Sequence, residues 1–479
     1  MPAPPYFSIQ LGTARDRALA LALLKQHAQE RDVRAERRSS GWQIRVGAWA
    51  ERREAEQALE AFHARGAKAA RILSMQTAVP WLLPDGTTLP LARPKPAASA
   101  AVATAPAAPS APAPAFIPAP PLPPARPVST KLDPSADFRS TAAKLDIEIR
   151  RWLRTNGPQR RDGFLYGMDV ALTMLYAAER GDQTLYLQLQ PAAGKVIQTA
   201  GDPYAQGFVL WRHQDGTPPE VSGATETALM ARALRAGAAA FNRAEDAALA
   251  LKVLDGYARH AYELQTVWLV RKYFSFPSRT FANLSMITNY QGDLFAAVER
   301  EGGRGEWAGF AERSYALLER AQSPSKLLYP LIQPEVGATY PGLGLDVYGP
   351  NGLVPLEDSC TAAEGAVRGI PRLAARVLDF ATARSHRNRY GRIYAYFDGR
   401  EGDPVGEGAL SSTAYACLGQ LAAALDDSGA WKRIEPQLLD DMRPVATLAA
   451  SQAAPLYAAA PMLRAAYAAG AFNPQPQRD

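Results

Sequence analysis

The feature that most limits what this chain can fold into is the stretch 93–127, which is almost entirely proline and alanine. Such a composition cannot bury a core and favours extended polyproline geometry, so it reads as a semi-rigid spacer. At about 3.1 Å per residue it would span on the order of 100 Å. The 479 residues therefore divide into a small unit at 1–76, a linker region at 77–135 and a main domain at 136–479. Within the linker region, Val79-Pro80-Trp81-Leu82-Leu83-Pro84-Asp85-Gly86 runs into a second apolar arm, a pattern that predicts a small hairpin or an extended flap. No run approaches the roughly 20 apolar residues of a membrane-spanning helix. A basic start followed by an apolar core is not found, so no signal peptide is read and the export route stays open.

Residues 6–73 repeat internally. Phe7-Ser8-Ile9-Gln10-Leu11-Gly12 returns as Trp42-Gln43-Ile44-Arg45-Val46-Gly47, and an alanine-rich helix follows each copy, near 15–30 and 52–64. The alternation of Phe7, Ile9 and Leu11 with Ser8 and Gln10 is that of a half-buried strand, and Gly12 and Gly47 stand where the chain turns. With further strands near 33–36 and 69–73 the pattern is βαβ-βαβ, a four-stranded sheet with two helices on one face. Residues 1–76 hold 13 Lys and Arg against 8 Asp and Glu, a bias toward an anionic or sugar-phosphate partner.

The repeat resembles the SPOR domain, a bacterial module that binds peptidoglycan glycan strands stripped of their peptides. The resemblance is carried by the "IQLG" and "IRVG" signatures and the "EAEQAL" helix. It implies a glycan-binding open sheet face, which here points to Ser8, Gln10, Gln43 and Arg45. An RNA-binding sheet of similar topology stacks bases on exposed aromatics, and these four positions supply none, so no nucleic-acid partner is expected. A plain interaction module is the other reading.

Nearly every periodic segment of the main domain is helical: 141–154, 170–179, 224–241, 247–262, 292–299, 307–321, 361–382, 412–425, 434–449 and 456–469. Ten to twelve helices joined in pairs by glycine-bearing loops predict an all-α ring of helical hairpins, the (α/α)6 toroid, with alanine-rich helices innermost. A globin-like or solenoid arrangement is the alternative, and the absence of a strict repeat period argues against a solenoid.

In such a ring the cleft lies where the inner helices begin. The acidic residues ahead of the candidate inner helices are Asp162, Glu226, Glu357 and Asp358, with Glu364 one turn further in, and Asp403 before the helix at 412. Glycoside cleavage requires two carboxyl groups, one to protonate the leaving oxygen and one to activate water or attack the sugar. Capping and the helix dipole also place acids in first turns, the competing structural explanation for each.

The run Asp162-Gly163-Phe164-Leu165-Tyr166-Gly167-Met168, followed by an alanine-bearing helix, resembles the first motif of glycoside hydrolase family 8. Phe208-Val209-Leu210-Trp211-Arg212 and Ala224-Thr225-Glu226 resemble that family's tryptophan segment and its "ATDAD" helix. The resemblance implies that Asp162 is the general acid, with Tyr166 beside it, Glu226 a catalytic or substrate-binding carboxylate, and Trp211 a sugar-stacking platform. Asp358 and Glu364 are the other catalytic candidates. Two departures stand out: the family's acid is glutamate, and its "YDA-x-R" segment is met by Glu364-Gly365-Ala366-Val367-Arg368, with glycine at the acidic position. The reading extends from a hydrolase to another toroid enzyme, such as a lyase or epimerase, and to a non-catalytic glycan- or protein-binding scaffold of the cell envelope.

Other residues fit a sugar cleft. The long glycine-rich loop 335–352 contributes Tyr340 and Tyr348. Tyr273, Phe274 and Phe276 are candidates for stacking, Arg279 and Asn283 for binding an acidic sugar, and Arg368 for substrate binding. The five histidines are scattered without metal-ligand spacing, and Cys360 and Cys417, far apart in apolar helices, are expected to be buried thiols. No phosphate loop, dinucleotide fingerprint, serine elbow or Cys-His pattern is found, so neither metal nor cofactor is expected.

Overall fold

The computed structural model describes residues 6–14, 17–27, 33–38, 41–49, 52–64, 71–75, 81–82 and 88–89, then 129 and 132–472 apart from 200–202, 265–266, 283, 302–306, 335–344 and 451–455. The proline-alanine stretch, Tyr340 and Asn283 lie outside them. The chain forms two units, Met1–Ala115 and Phe116–Asp479.

In the first unit the strands are β1 (Tyr6–Ala14), β2 (Arg34–Arg38), β3 (Gly41–Trp49), β4 (Arg71–Met75), β5 (Trp81–Leu82) and β6 (Thr88–Leu89), with helices α1 (Arg17–Gln26) and α2 (Arg52–Ala64). The antiparallel sheet has the order β4-β1-β3-β2-β5-β6, so the expected hairpin forms and extends the sheet beyond β2. Ile9, Ile44, Val46 and Ala35 pack with Ala20 and Leu24 of α1 and Phe62 of α2, the core that the period-two alternation requires. The polar face departs from expectation. Ser8 is fully buried, and Gln10 and Arg45 are buried too. The reason is a polar network within the sheet: buried Arg34 donates to Ser8 Oγ (3.1 Å) and to the Gly47 carbonyl (2.8 Å), and Arg45 donates to the half-buried Gln43. Ser8, Gln10 and Arg45 are therefore not presented to solvent as an open binding face.

Among the described residues the second unit has twelve α-helices: α3 (Ala136–Asn156), α4 (Gly167–Glu179), α5 (Gln183–Val196), α6 (Ala224–Phe241), α7 (Ala244–His260), α8 (Gly292–Glu301), α9 (Phe310–Arg320), α10 (Leu356–Ala366), α11 (Pro371–Thr382), α12 (Ser412–Ala424), α13 (Ser428–Ala450) and α14 (Leu456–Ala468). α4 packs on α6, the turn Ile287–Asn289 links α6 to α10 beside α8, α10 packs on α12, α12 on α14, and α14 returns to α4. This closes an inner ring of α4, α6, α8, α10, α12 and α14, with the remaining helices outside it. The architecture is the (α/α)6 toroid. From Ala414 to Ala423 every residue of α12 is buried, and α4 is nearly as enclosed, as expected of helices walled on all sides. Outer helices such as α11 bury one stripe only.

Two helix assignments change. The segment 361–382 is not one helix: the chain turns at Gly369, where a Cβ would collide with the Tyr315 ring, and Pro371 opens α11, its missing N–H costing nothing in a first turn. Helix α5 was hidden because Pro191 and its glutamines blur the apolar period. The cysteines also differ from expectation. Cys360 of α10 and Cys417 of α12 form a disulfide, which sequence separation concealed and ring closure brings within reach.

Candidate functional site

Short strands gird the end of the ring where the inner helices start. Leu165–Tyr166 pairs with Arg212–His213, and the Gly167 amide donates to the Trp211 carbonyl (3.0 Å), which fixes Trp211 beside the first turn of α4. Gly167 is needed there, since a Cβ would strike the Leu210 carbonyl. Val221–Gly223 pairs with Tyr273–Ser275, and the Ala224 amide donates to the Lys272 carbonyl (3.0 Å), carrying Lys272 and Tyr273 to the mouth of α6. Leu353–Pro355, paired with Tyr396–Asp398, leads into α10.

These mouths surround a cavity of about 600 Å3, lined among others by Met168, Trp211, Glu226, Lys272, Tyr273, Asn289, Gln291, Glu357, Asp358, Thr413 and Tyr457. Each of the six inner helices contributes from its first turn or the residues just before it. The volume suits a small-molecule ligand or a short segment of a polymer. Among the described residues no cluster of His, Cys, Asp or Glu has the geometry to hold a metal ion.

Three carboxyl groups line the upper cavity. Glu226 folds back over the start of α6, so close to Gly223 that a Cβ there would collide with Oε2. Burial pushes its pKa up, with the Lys272 ammonium opposing the shift. Asp358 is pushed up to about 6, first by burial and then by the neighbouring Glu357 charge, again with Lys272 opposing. Neither Glu226 nor Asp358 has an ion-pair partner within reach among the described residues. Glu357 accepts hydrogen bonds from Ser411 Oγ (2.8 Å) and Thr413 Oγ1 (2.6 Å).

The floor of the cavity is an ion network. Glu364 is buried and faces Arg232 (3.4 Å) and Arg464 (3.6 Å). Arg464 also grips Glu179 with two 2.9 Å bonds, and Arg232 is bonded to Asp293 and to Gln291 (2.8 Å). Residues of α4, α6, α8, α10 and α14 are thereby tied together. Glu364 lines the cavity, yet it is an ion-pair partner rather than an available acid, which corrects the expectation of a catalytic role.

Asp162 is also corrected. It is exposed at the rim and does not line the cavity. The Phe164 amide (3.0 Å) and the Tyr166 hydroxyl (2.7 Å) donate to it and hold its pKa below the ordinary carboxylate range, the opposite of what a proton donor needs. Tyr166 is buried, edge-on to Trp211 with ring centroids 5.9 Å apart and beneath the Arg160 guanidinium, so it supports Trp211 rather than meeting ligand. Arg160 in turn makes two 2.7 Å bonds to buried Asp169.

Trp211, 42% exposed, and Tyr273 line the cavity, whereas Phe274 is core against Phe208 and Phe276 packs beside it. Arg279 is exposed on a turn in the left-handed region (φ 53°) and outside the lining. Tyr348 is half-buried and donates to Gln333 (3.3 Å), also outside it. Arg368 follows the C-terminal end of α10, the end of the ring opposite the cavity, and Asp403 is exposed away from the lining. Lys272, Tyr457, Thr413 and Gln291 escaped the sequence reading because no local pattern distinguishes them. Glu357 is named by the same helix-mouth rule as Asp358 and lines the cavity with it.

Residues 3–72 match the SPOR domain, a glycan-binding module. No curated protein sequence matches the chain. Among solved structures, a beta-1,3-1,4-glucanase from Paenibacillus sp. X4 superposes with a TM-score of 0.52 at 10% identity, covering 74% of this chain and 100% of that one. An alpha-amylase from Clostridium perfringens superposes with a TM-score of 0.50 at 12% identity, over 63% of this chain and 87% of that one. At such identities the likeness is one of fold.

Proposed function

We propose that this chain is a polysaccharide-processing protein of the bacterial cell envelope, in which the SPOR domain binds peptidoglycan glycan and the toroid is a glycoside hydrolase. The observation that carries the reading is that Glu226 and Asp358, from two helix mouths, line one aromatic-flanked cavity without ion-pair partners and share Lys272. A carboxyl group whose pKa burial raises to about 6, beside a second carboxyl group, is the equipment of glycosidic cleavage. In this assignment Asp358 protonates the leaving oxygen, and Glu226 in its ionised form activates water or attacks the sugar carbon, with the Lys272 charge opposing the burial that raises its pKa. Trp211 and Tyr273 offer faces on which a sugar ring stacks.

The resemblance to family 8 enters here in altered form: the acid moves from the Asp162 position to Asp358. The disulfide supports placement in an oxidising compartment, in keeping with an envelope protein. No helix among the described residues is long and apolar enough to cross a membrane.

The test is incubation of the full chain with envelope and exopolysaccharide glycans, scored for reducing-end release and for binding, with Asp358→Asn alongside. Release abolished in the variant with binding retained is the expected result. Binding without release by the wild-type chain on every glycan would favour a non-catalytic scaffold, the second reading, which the low identity to known hydrolases keeps in view.

A further inference from the structure

On an α-helix, residues three and four apart share a face. On α10 that rule stacks Glu357, Cys360 and Glu364; on α12 it stacks Thr413, Cys417 and Gln420. The two stacks meet level by level. At the mouth, Ser411 and Thr413 donate to the two oxygens of Glu357. One turn below, Cys360 and Cys417 are joined, their Cα atoms 6.2 Å apart. Below that, Glu364 and Gln420 line the floor of the same cavity. Ser411 is also the N-cap of α12, accepting from the Ala414 amide (3.2 Å), so its hydroxyl ties the start of one helix to the carboxylate of the other.

From this arrangement we infer that the Cys360–Cys417 disulfide is a positioning device for Glu357 and Asp358 and makes the site redox-sensitive. The inference rests on the catalytic reading of the cavity given above. Two hydroxyl bonds at the open end of a cavity compete with water and hold weakly by themselves. A covalent link one turn below fixes the separation and register of α10 and α12, and with them the place of Glu357 against Ser411 and Thr413 and of Asp358 in the cavity wall. A displacement of 1 Å in such a group is enough to lose much of the rate.

The link is also within reach of a small reagent. Cys360 is fully buried, but Cys417 lines the cavity. The thiolate of a dithiol attacks Cys417 Sγ and expels the Cys360 thiolate, which takes up a proton. The second thiol of the reagent then attacks the mixed disulfide, releasing Cys417 as a thiol and leaving the reagent as a cyclic disulfide. Two electrons and two protons pass to the protein.

The experiment compares the full chain before and after native-condition reduction by dithiothreitol, and the Cys360→Ala/Cys417→Ala variant, in two readouts. On a cleaved glycan, kcat should fall about 10- to 100-fold while KM stays within about 2-fold, since the aromatic surfaces that hold the sugar are untouched. Carbon-13 carboxyl NMR should show the Asp358 midpoint dropping toward the ordinary aspartate value when the link opens. Reoxidation should restore both.

An unchanged kcat and an unchanged Asp358 midpoint after reduction would overturn the inference and leave the bond a simple staple. So would two free thiols in the unreduced protein, measured by alkylation. The carboxyl titration needs no turnover: if the chain cleaves nothing, the catalytic reading fails, while a moved or unmoved midpoint still decides the positioning role. If the double variant does not fold, reduction of the folded protein carries the test.

Discussion

Asp358 and Glu364 stand six residues apart on the same inner helix and line the same cavity, yet their surroundings make them different groups. At the mouth, Asp358 is desolvated without a cationic partner in contact and its pKa climbs to about 6. At the floor, Glu364 is held between Arg232 and Arg464. Burial alone does not make a catalytic acid. Burial with no guanidinium within reach leaves a proton that can be given away, whereas burial with two leaves a structural joint.

The sharpest way to break this contrast is at the floor. Arg464→Ala leaves Glu179 and Glu364 buried without their shared partner, and unfolding by denaturant should show a loss of about 3–5 kcal/mol. At the mouth the expected cost falls on rate. Asp358→Asn should lower kcat about 100- to 10,000-fold on a cleaved glycan, with a melting temperature equal to or above that of the wild type, because a desolvated acid is removed.

The same residue makes a pH prediction whose sign is fixed. Its folded pKa lies above the unfolded aspartate value, so the folded state holds the proton longer. Its contribution to stability is complete below about pH 4 and is lost as pH rises through about 6. The loss should be roughly 2–3 kcal/mol in pH-dependent unfolding, and absent in Asp358→Asn. Activity should decline over the same limb as the donor ionises. Lys272→Met removes the charge that opposes both raised pKa values and should move that limb upward by up to about one unit, read from the kcat/KM profile. The smallest effect belongs to the rim: Asp162→Asn should leave kcat within about 2-fold and stability within about 0.5 kcal/mol, as expected of an exposed group outside the cavity. A large loss there would return the acid to the position the family resemblance suggests.

Local patterns carried most of the fold. The period-two alternation around Ile9 and Ile44 defined the sheet, and three- and four-residue spacing defined most helices of the ring. Such patterns are short-range consequences of backbone geometry, so they survive in sequence. The breaks were harder to read, as at Gly369, because the turn there answers to the Tyr315 ring from another hairpin.

The site was legible only as a list of helix-mouth acids. The rule that inner helices open on the cleft named Glu226, Glu357, Asp358 and Glu364, which line the cavity, and also Asp162 and Asp403, which do not. Sequence alone determined that this protein has a small α/β unit and a helical ring, and that acids gather at the ring's open end. Tertiary structure decided which acids meet. It drew guanidiniums to Glu364, a tyrosine hydroxyl to Asp162 and a cystine beneath Glu357, and it left Asp358 in a desolvated wall. A pKa, like a disulfide, depends on neighbours tens to hundreds of residues away, and no local period records them.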